Sequence, residues 1–290
     1  MVSTFEHAVA FGTDLVGIER ILRLFQATCS LLVWYPALFA LVQPKVSSTA
    51  SLRSLGGQIN VSRRFIRFFR FLDTFRAGWT AYVAQGDKGL DVWLEIVSKT
   101  CFGMFGMMET MTLLDLCAID NLRVFSPEKL KEIDYQSQLF WFAGLYTSVL
   151  VTVIRLYRLL ASTPASVTRE SVSTSSTENT AELASAEKEI SGLSEKTSKE
   201  ELDQERKRLK GIVTKRKAER RAWLQKISND GFVLVRALAS DLLDMLLPTT
   251  TVGWVKLEPG LVSLAMFFTT LTTGSAVWEK VGRELQRQKQ

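Results

Sequence analysis

The chain has 290 residues, a formal charge of +6 and a pI near 9.2, so any macromolecular or lipid partner is expected to be anionic. It is 47% hydrophobic and 10% aromatic, which excludes a wholly disordered protein. Three cysteines without CxxC spacing and one histidine exclude a disulfide scaffold, a multi-histidine metal site and a histidine-based triad.

The N-terminal stretch carries Glu6, His7, Asp14 and Glu19 with no basic region, unlike a signal peptide. Residues 13–43 are expected to form the first helical unit, capped by Thr13 or Asp14. Ile18, Ile21, Leu22, Phe25 and Cys29 recur at helical spacing, and Pro36 interrupts the apolar run. This unit reads as a kinked helix, buried or half embedded, rather than a span. Residues 45–61 are polar and contain Gly56 and Gly57, and so read as a loop. Residues 88–120 read as an apolar helix striped by Asp91, Glu95 and Lys99, with Gly103 and Gly106 beside Met104, Met107, Met108 and Met111. Small residues there allow close backbone approach, and methionine fills irregular gaps.

Ser126 and Pro127 place an N-cap and a first helical residue. The following run, 135–154, is uncharged and closed by Arg155 and Arg158, with Tyr135, Trp141 and Tyr157 near its ends. Twenty residues at about 1.5 Å each match a hydrocarbon core of about 30 Å, so the run reads as membrane-embedded. Residues 161–198 are Ser/Thr-rich and lack aromatics, the composition of a disordered linker. Residues 199–228 read as a charged helix, either a solvated face or a patch for lipid or nucleic acid. "GFVLVRALASDLLDMLLP" reads as an amphipathic helix ended by Pro248, and residues 259–278 as the better transmembrane candidate. Three regions follow: 1–160, N-terminal amphipathic and embedded helices; 161–198, linker; 199–290, basic helix, amphipathic helix and C-terminal span. The fold class is an all-α, membrane-associated helical bundle with one or two transmembrane helices.

The segment "SRRFIRFFRFLDTFRAGW", residues 62–79, holds five arginines and five phenylalanines. On one helix of about 26 Å, Arg63, Arg67, Arg70 and Thr74 share a face. Arg64 and Asp73 flank them. Phe65, Phe68, Phe71, Leu72, Phe75 and Trp79 fill the opposite arc. Neighbouring arginines repel by a few tenths of a kcal/mol in isolation, whereas an anionic leaflet gains about 1 kcal/mol per basic residue. The expected lipid contacts are therefore Arg63, Arg64, Arg67, Arg70 and Arg76 at headgroups, with those six apolar side chains among acyl chains. No zinc-finger spacing, RNP signature or GXXG loop accompanies the arginines, so no nucleic-acid partner is expected. No P-loop or GxGxxG occurs, and no catalytic residue, cofactor or metal is expected.

Three stretches resemble the peroxisomal biogenesis factor 11 family. "TDLVGIERILRLFQATCSLL" is similar to its opening helix, with Gly17, Arg20, Arg23, Leu24 and Gln26 fitting and Ile18-Glu19 departing. "SRRFIRFFRFLDTFRA" is similar to its amphipathic helix, with Arg63, Arg64, Phe65, Arg67, Phe71 and Leu72 in register and Phe69 in place of a common glycine. "LVRALASDLLDMLLP…VGWVKLEPGLVSL" is similar to its C-terminal helix, loop and membrane segment, and the long insert resembles a fungal divergent branch. The resemblance implies a peroxisomal membrane protein that elongates the membrane before fission and self-associates into a homo-oligomer. It also implies termini in the cytosol. The implied partners are anionic membrane lipids, a dynamin-related GTPase with its tail-anchored adaptor, and the peroxisomal membrane-protein import receptor. The alternative is a metabolite pore of the same membrane, lined by Glu109 and Asp115.

Overall fold

In a computed structural model the chain is described at residues 3–35, 37, 49–84, 86, 88–117, 123–161 and 195–288; within the last stretch the backbone alone is described before residue 211 and at a few positions up to 226. The described residues are helical, with no strand among them. The expected Ser/Thr-rich linker and Pro36 lie outside them, apart from the linker's edges at residue 161 and 195–198. The helices are α1 (Thr4–Thr13), α2 (Leu15–Trp34), α3 (Thr49–Ile66), α4 (Arg70–Val83), α5 (Leu90–Met111), α6 (Leu113–Leu116), α7 (Pro127–Ala161), α8 (Glu195–Asp244), α9 (Leu246–Val252) and α10 (Pro259–Gln288).

The helix starts follow from side-chain chemistry. Ser3 and Glu6 form a reciprocal capping box that opens α1. This helix was legible in the Ser-x-x-Glu spacing but is absent from the reading above. Asp14 accepts from the Gly17 amide at 3.0 Å and caps α2. Pro127 begins α7, where its missing N–H costs nothing.

Three expectations are corrected. Residues 49–61 are not loop but the first turns of α3, because Leu52, Leu55 and Ile59 recur at helical spacing and the helix packs along α2. Packing against a partner overrides the weak propensity of two glycines. The charged and amphipathic segments 199–248 form one helix as far as Asp244, not two. Pro248 does not end a helix; it sits in the first turn of α9, where proline is tolerated, and Gly253 closes α9 at φ 85°.

The chain divides into two compact units, Met1–Arg155 with Leu234–Gln290, and Leu156–Val233. In the first, α2 lies between α3 and α10, and α4 packs along α5. α5 in turn meets α7, where Phe105 stacks on Trp141 at 5.3 Å and Ser98 donates to the Gly144 carbonyl at 2.9 Å. In the second, Leu159 on α7 sits against Gly231 on α8. α7 and α10 are each long and apolar enough to cross a membrane.

The α4–α5 contact depends on glycine. A Cβ at Gly103 would lie 2.5 Å from the Phe75 ring, and one at Gly106 would lie 3.1 Å from Phe71 Cβ. Gly103→Ala is expected to destabilise the bundle by roughly 1–3 kcal/mol through overpacking. Gly57→Ala on α3, whose Cβ would meet nothing within 4 Å, is expected to be neutral or to stabilise by up to about 1 kcal/mol. Thermal melting of detergent-solubilised protein checks both.

Candidate membrane interface

The arginine- and phenylalanine-rich segment is not one rod. α3 ends at Ile66, residues 67–69 turn, and α4 restarts at Arg70. The i→i−3 bonds from Phe68 to Phe65 and from Arg70 to Arg67 tighten the chain there. Thr110 on α5 reaches across and donates to the Phe68 carbonyl at 2.7 Å. The hydroxyl's single proton is shared with its own Gly106 carbonyl at 2.8 Å. A continuous helix over 63–79 is therefore corrected to two helices joined at a stapled turn.

The arginine face points into the protein. Arg63 is buried and donates to Glu19 Oε1 at 3.2 Å and 2.6 Å and to Gln26, both on α2. Arg20 lies 3.4 Å from the second Glu19 oxygen. Arg64 and Arg67 share Glu109 on α5, at 3.3 Å and 2.8 Å, and Arg64 also stands 4.0 Å from Asp134. Glu19 and Glu109 thus each serve two guanidiniums. A third pair, Arg23–Asp244, ties α2 to α8 at 2.5 Å, and Arg23 also reaches Thr269 on α10 at 3.4 Å. Nearer the surface, Arg236 grips Glu279 through two bonds of 2.7 Å and 3.1 Å. That hydrogen bond holds the Glu279 carboxyl below its ordinary range and raises the Arg236 guanidinium.

The expected lipid contacts divide accordingly. Arg63, Arg64 and Arg67 are engaged inside, and Arg70 is half-buried. Phe71 and Phe75 seat on the glycines of α5, and Phe68 is half-buried. The outward set is Phe65, Leu72, Arg76 and Trp79, joined by Phe69 and Val83. These six occupy positions 65, 69, 72, 76, 79 and 83. Within α4 the steps of four and three residues from Leu72 to Val83 make one row, and Phe65 at the end of α3 and Phe69 in the turn are exposed ahead of it in the chain. Phe69 and Trp79 are 66% and 65% exposed, too much for aromatic rings that were meant for the core. At the far end Trp79 and Tyr82 are 5.7 Å apart, and Lys88 lies over Tyr82 and Trp93 at 5.0 Å and 5.9 Å.

Glu109 and Asp115, the carboxylates considered for a pore, have other employment. Glu109 is paired as above, and Asp115 accepts from the Val124 and Phe125 amides at 2.8 Å and 3.2 Å.

A family model for peroxisomal biogenesis factor 11 matches residues 5–278, nearly the whole chain. The chain belongs to that family. No curated protein and no solved structure matches it. The factor 11 match makes this a protein of the peroxisomal membrane, concerned with peroxisome proliferation. The family is one of biogenesis factors and not of enzymes. The match includes the whole of α7, residues 259–278 of α10 and the segment 62–79.

Breaking one side of the buried network is expected to cost more than removing both. Arg63→Met takes both hydrogen bonds from the buried Glu19 and leaves it only the Arg20 contact, at a cost of up to roughly 3–5 kcal/mol; Arg63→Met with Glu19→Gln is expected to recover part of that, since Arg20 then gives up its carboxylate. Melting temperatures of the single and double variants in detergent check the sign.

Proposed function

We propose that this protein remodels and elongates the peroxisomal membrane and so promotes fission, using the amphipathic segment 63–79 and self-association. The observation that carries the reading is the outward row from Phe65 to Val83, five apolar side chains interrupted by one arginine. Apolar side chains inserted on one side of a bundle take up area in one leaflet, and the leaflet relaxes by bending. Self-association sums small bends along the organelle. The dynamin-related GTPase, its tail-anchored adaptor and the import receptor enter as partners through family membership alone, and anionic lipid enters through the exposed Arg76.

The row replaces the arginine face as the lipid-binding element. Arg63, Arg64 and Arg67 act by orienting α3, so that Phe65 and Phe69 project away from α2 and α5. The pore alternative draws no support from Glu109 and Asp115, both held by neighbouring groups. Solute flux through reconstituted protein separates the two readings, since a membrane bender should give none.

Leu72→Asp with Trp79→Asp in the full chain is expected to abolish tubulation of anionic vesicles while leaving the melting temperature unchanged. Arg63→Ala is expected to abolish it together with the fold. A peptide of residues 60–80 frees all five arginines, and its binding should fall steeply with salt, whereas the full chain should barely respond. Electron microscopy of vesicles and co-flotation at two ionic strengths check these outcomes; tubulation by the double Asp variant at the unmodified level would sink the reading.

A further inference from the structure

Among the described residues, α7 and α10 are long and apolar enough to cross a membrane, and α2 falls short because Glu19, Arg20 and Arg23 crowd five of its positions. The structure removes that objection. Glu19 and Arg23 are 2% and 7% exposed, each paired with a charge from another helix, and Arg20 turns toward Glu19. The exposed side chains of α2 are Leu15, Phe25 and Trp34, at 58%, 58% and 45%. No charged residue of this helix is among its exposed ones. Its 20 residues extend about 30 Å, the thickness of a hydrocarbon core.

α2 also runs beside α10, in the opposite direction. Tyr35, at the end of α2, has its hydroxyl 2.9 Å from where a Cβ on Gly260 would stand. Arg23, twelve residues earlier, reaches Thr269, nine residues later on α10. Within the run 259–278 the buried residues of α10 are Gly260, Ser263, Ala265, Thr269 and Thr270, all small, and Gly260 and Thr269 are the two that meet Tyr35 and Arg23. Thr269 is the middle of the uncharged run 259–278. Whatever depth α10 reaches, α2 reaches with it.

We propose that α2 is a membrane-embedded helix, antiparallel to α10, with lipid acyl chains against Leu15, Phe25 and Trp34 and the Arg23–Asp244–Thr269 contact as its lock inside the membrane. Ionisable groups at that depth are costly unless paired, and here the partners come from α8 and α10. The inference depends on α10 crossing the membrane and is independent of whether the protein bends it.

The test uses the full chain in vesicles, with Cys29, Cys101 and Cys117 replaced by alanine. Leu15→Cys, Phe25→Cys, Trp34→Cys and, on α10, Phe268→Cys each carry a fluorophore, quenched in turn by lipids bearing a nitroxide at the headgroup or deep in the acyl chain. Phe25→Cys and Phe268→Cys should be quenched most by the deep nitroxide, and Leu15→Cys and Trp34→Cys most by the shallow one. Shallow quenching at all three α2 positions would mean a helix lying in the interface. It would overturn the inference while leaving the remodelling reading intact. A water-accessible Phe268→Cys label would overturn it by removing the span beside α2. Because replacing buried Cys29 risks the fold, a diazirine placed deep in the acyl chain is also photolysed with the unaltered protein. Adducts are expected on the α2 peptide containing Phe25, and their absence counts equally against the proposal.

Discussion

Three guanidiniums of α3 and its following turn, Arg63, Arg64 and Arg67, sit where water does not reach freely, and each meets a carboxylate on another helix. A guanidinium taken out of water without a partner costs several kcal/mol, so Glu19 and Glu109 are obligatory rather than decorative. Their positions fix the rotation of α3 about its own axis. With Arg63 turned to α2 and Arg67 to α5, Phe65 and Phe69 have only the outside left to them. The exposed row is thus a consequence of charge pairing at the back of the same helix. The net stabilisation from such pairs is small, because desolvation offsets attraction. What they supply is a single orientation.

The turn at 67–69 carries the second constraint. Arg67 pairs with Glu109, and the glycines at 103 and 106 draw Phe75 and Phe71 onto α5. A straight helix from 63 to 79 cannot satisfy α2 at one end and α5 at the other. The break leaves the Phe68 carbonyl without its usual partner, and Thr110 supplies one. Phe65 before the break and Phe69 within it are exposed, as are Leu72, Trp79 and Val83 after it, so apolar exposure persists through the change of helix.

Much of the fold was legible in the residues. Ser126-Pro127, Asp14, the two uncharged twenty-residue runs and the small residues at 103 and 106 each have a local cause, and the structure uses all of them. The Ser3-x-x-Glu6 box was equally local and would have placed α1. What sequence could not give is the partner of each arginine. A helical wheel of 62–79 separates a basic face from an aromatic one, yet says nothing about which of them meets protein. That depends on Glu19, 44 residues before Arg63, and on Glu109, 42 residues after Arg67. The same blindness hid the first turns of α3, which pack along α2, and it left α2 as buried or half embedded, because the partners of its charges come from other helices.

If the segment meets lipid as proposed, the inversion changes which force would hold it there. Five arginines facing headgroups would contribute about 5 kcal/mol, all of it screened by salt. With Arg76 the one fully exposed arginine of the five, that contribution falls to about 1 kcal/mol. Each large apolar side chain of the row, if fully transferred to lipid, is worth roughly 1.5–3 kcal/mol, and there are five of them. Even if insertion is half complete, the apolar part exceeds the ionic part several-fold. On the proposed reading, affinity for the membrane would depend little on the leaflet's charge, and the arginines would serve lipid at second hand, by holding the row in place. A protein held in the proposed way would remain seated when ionic strength or headgroup composition changes, its grip set by how much of the row the leaflet admits.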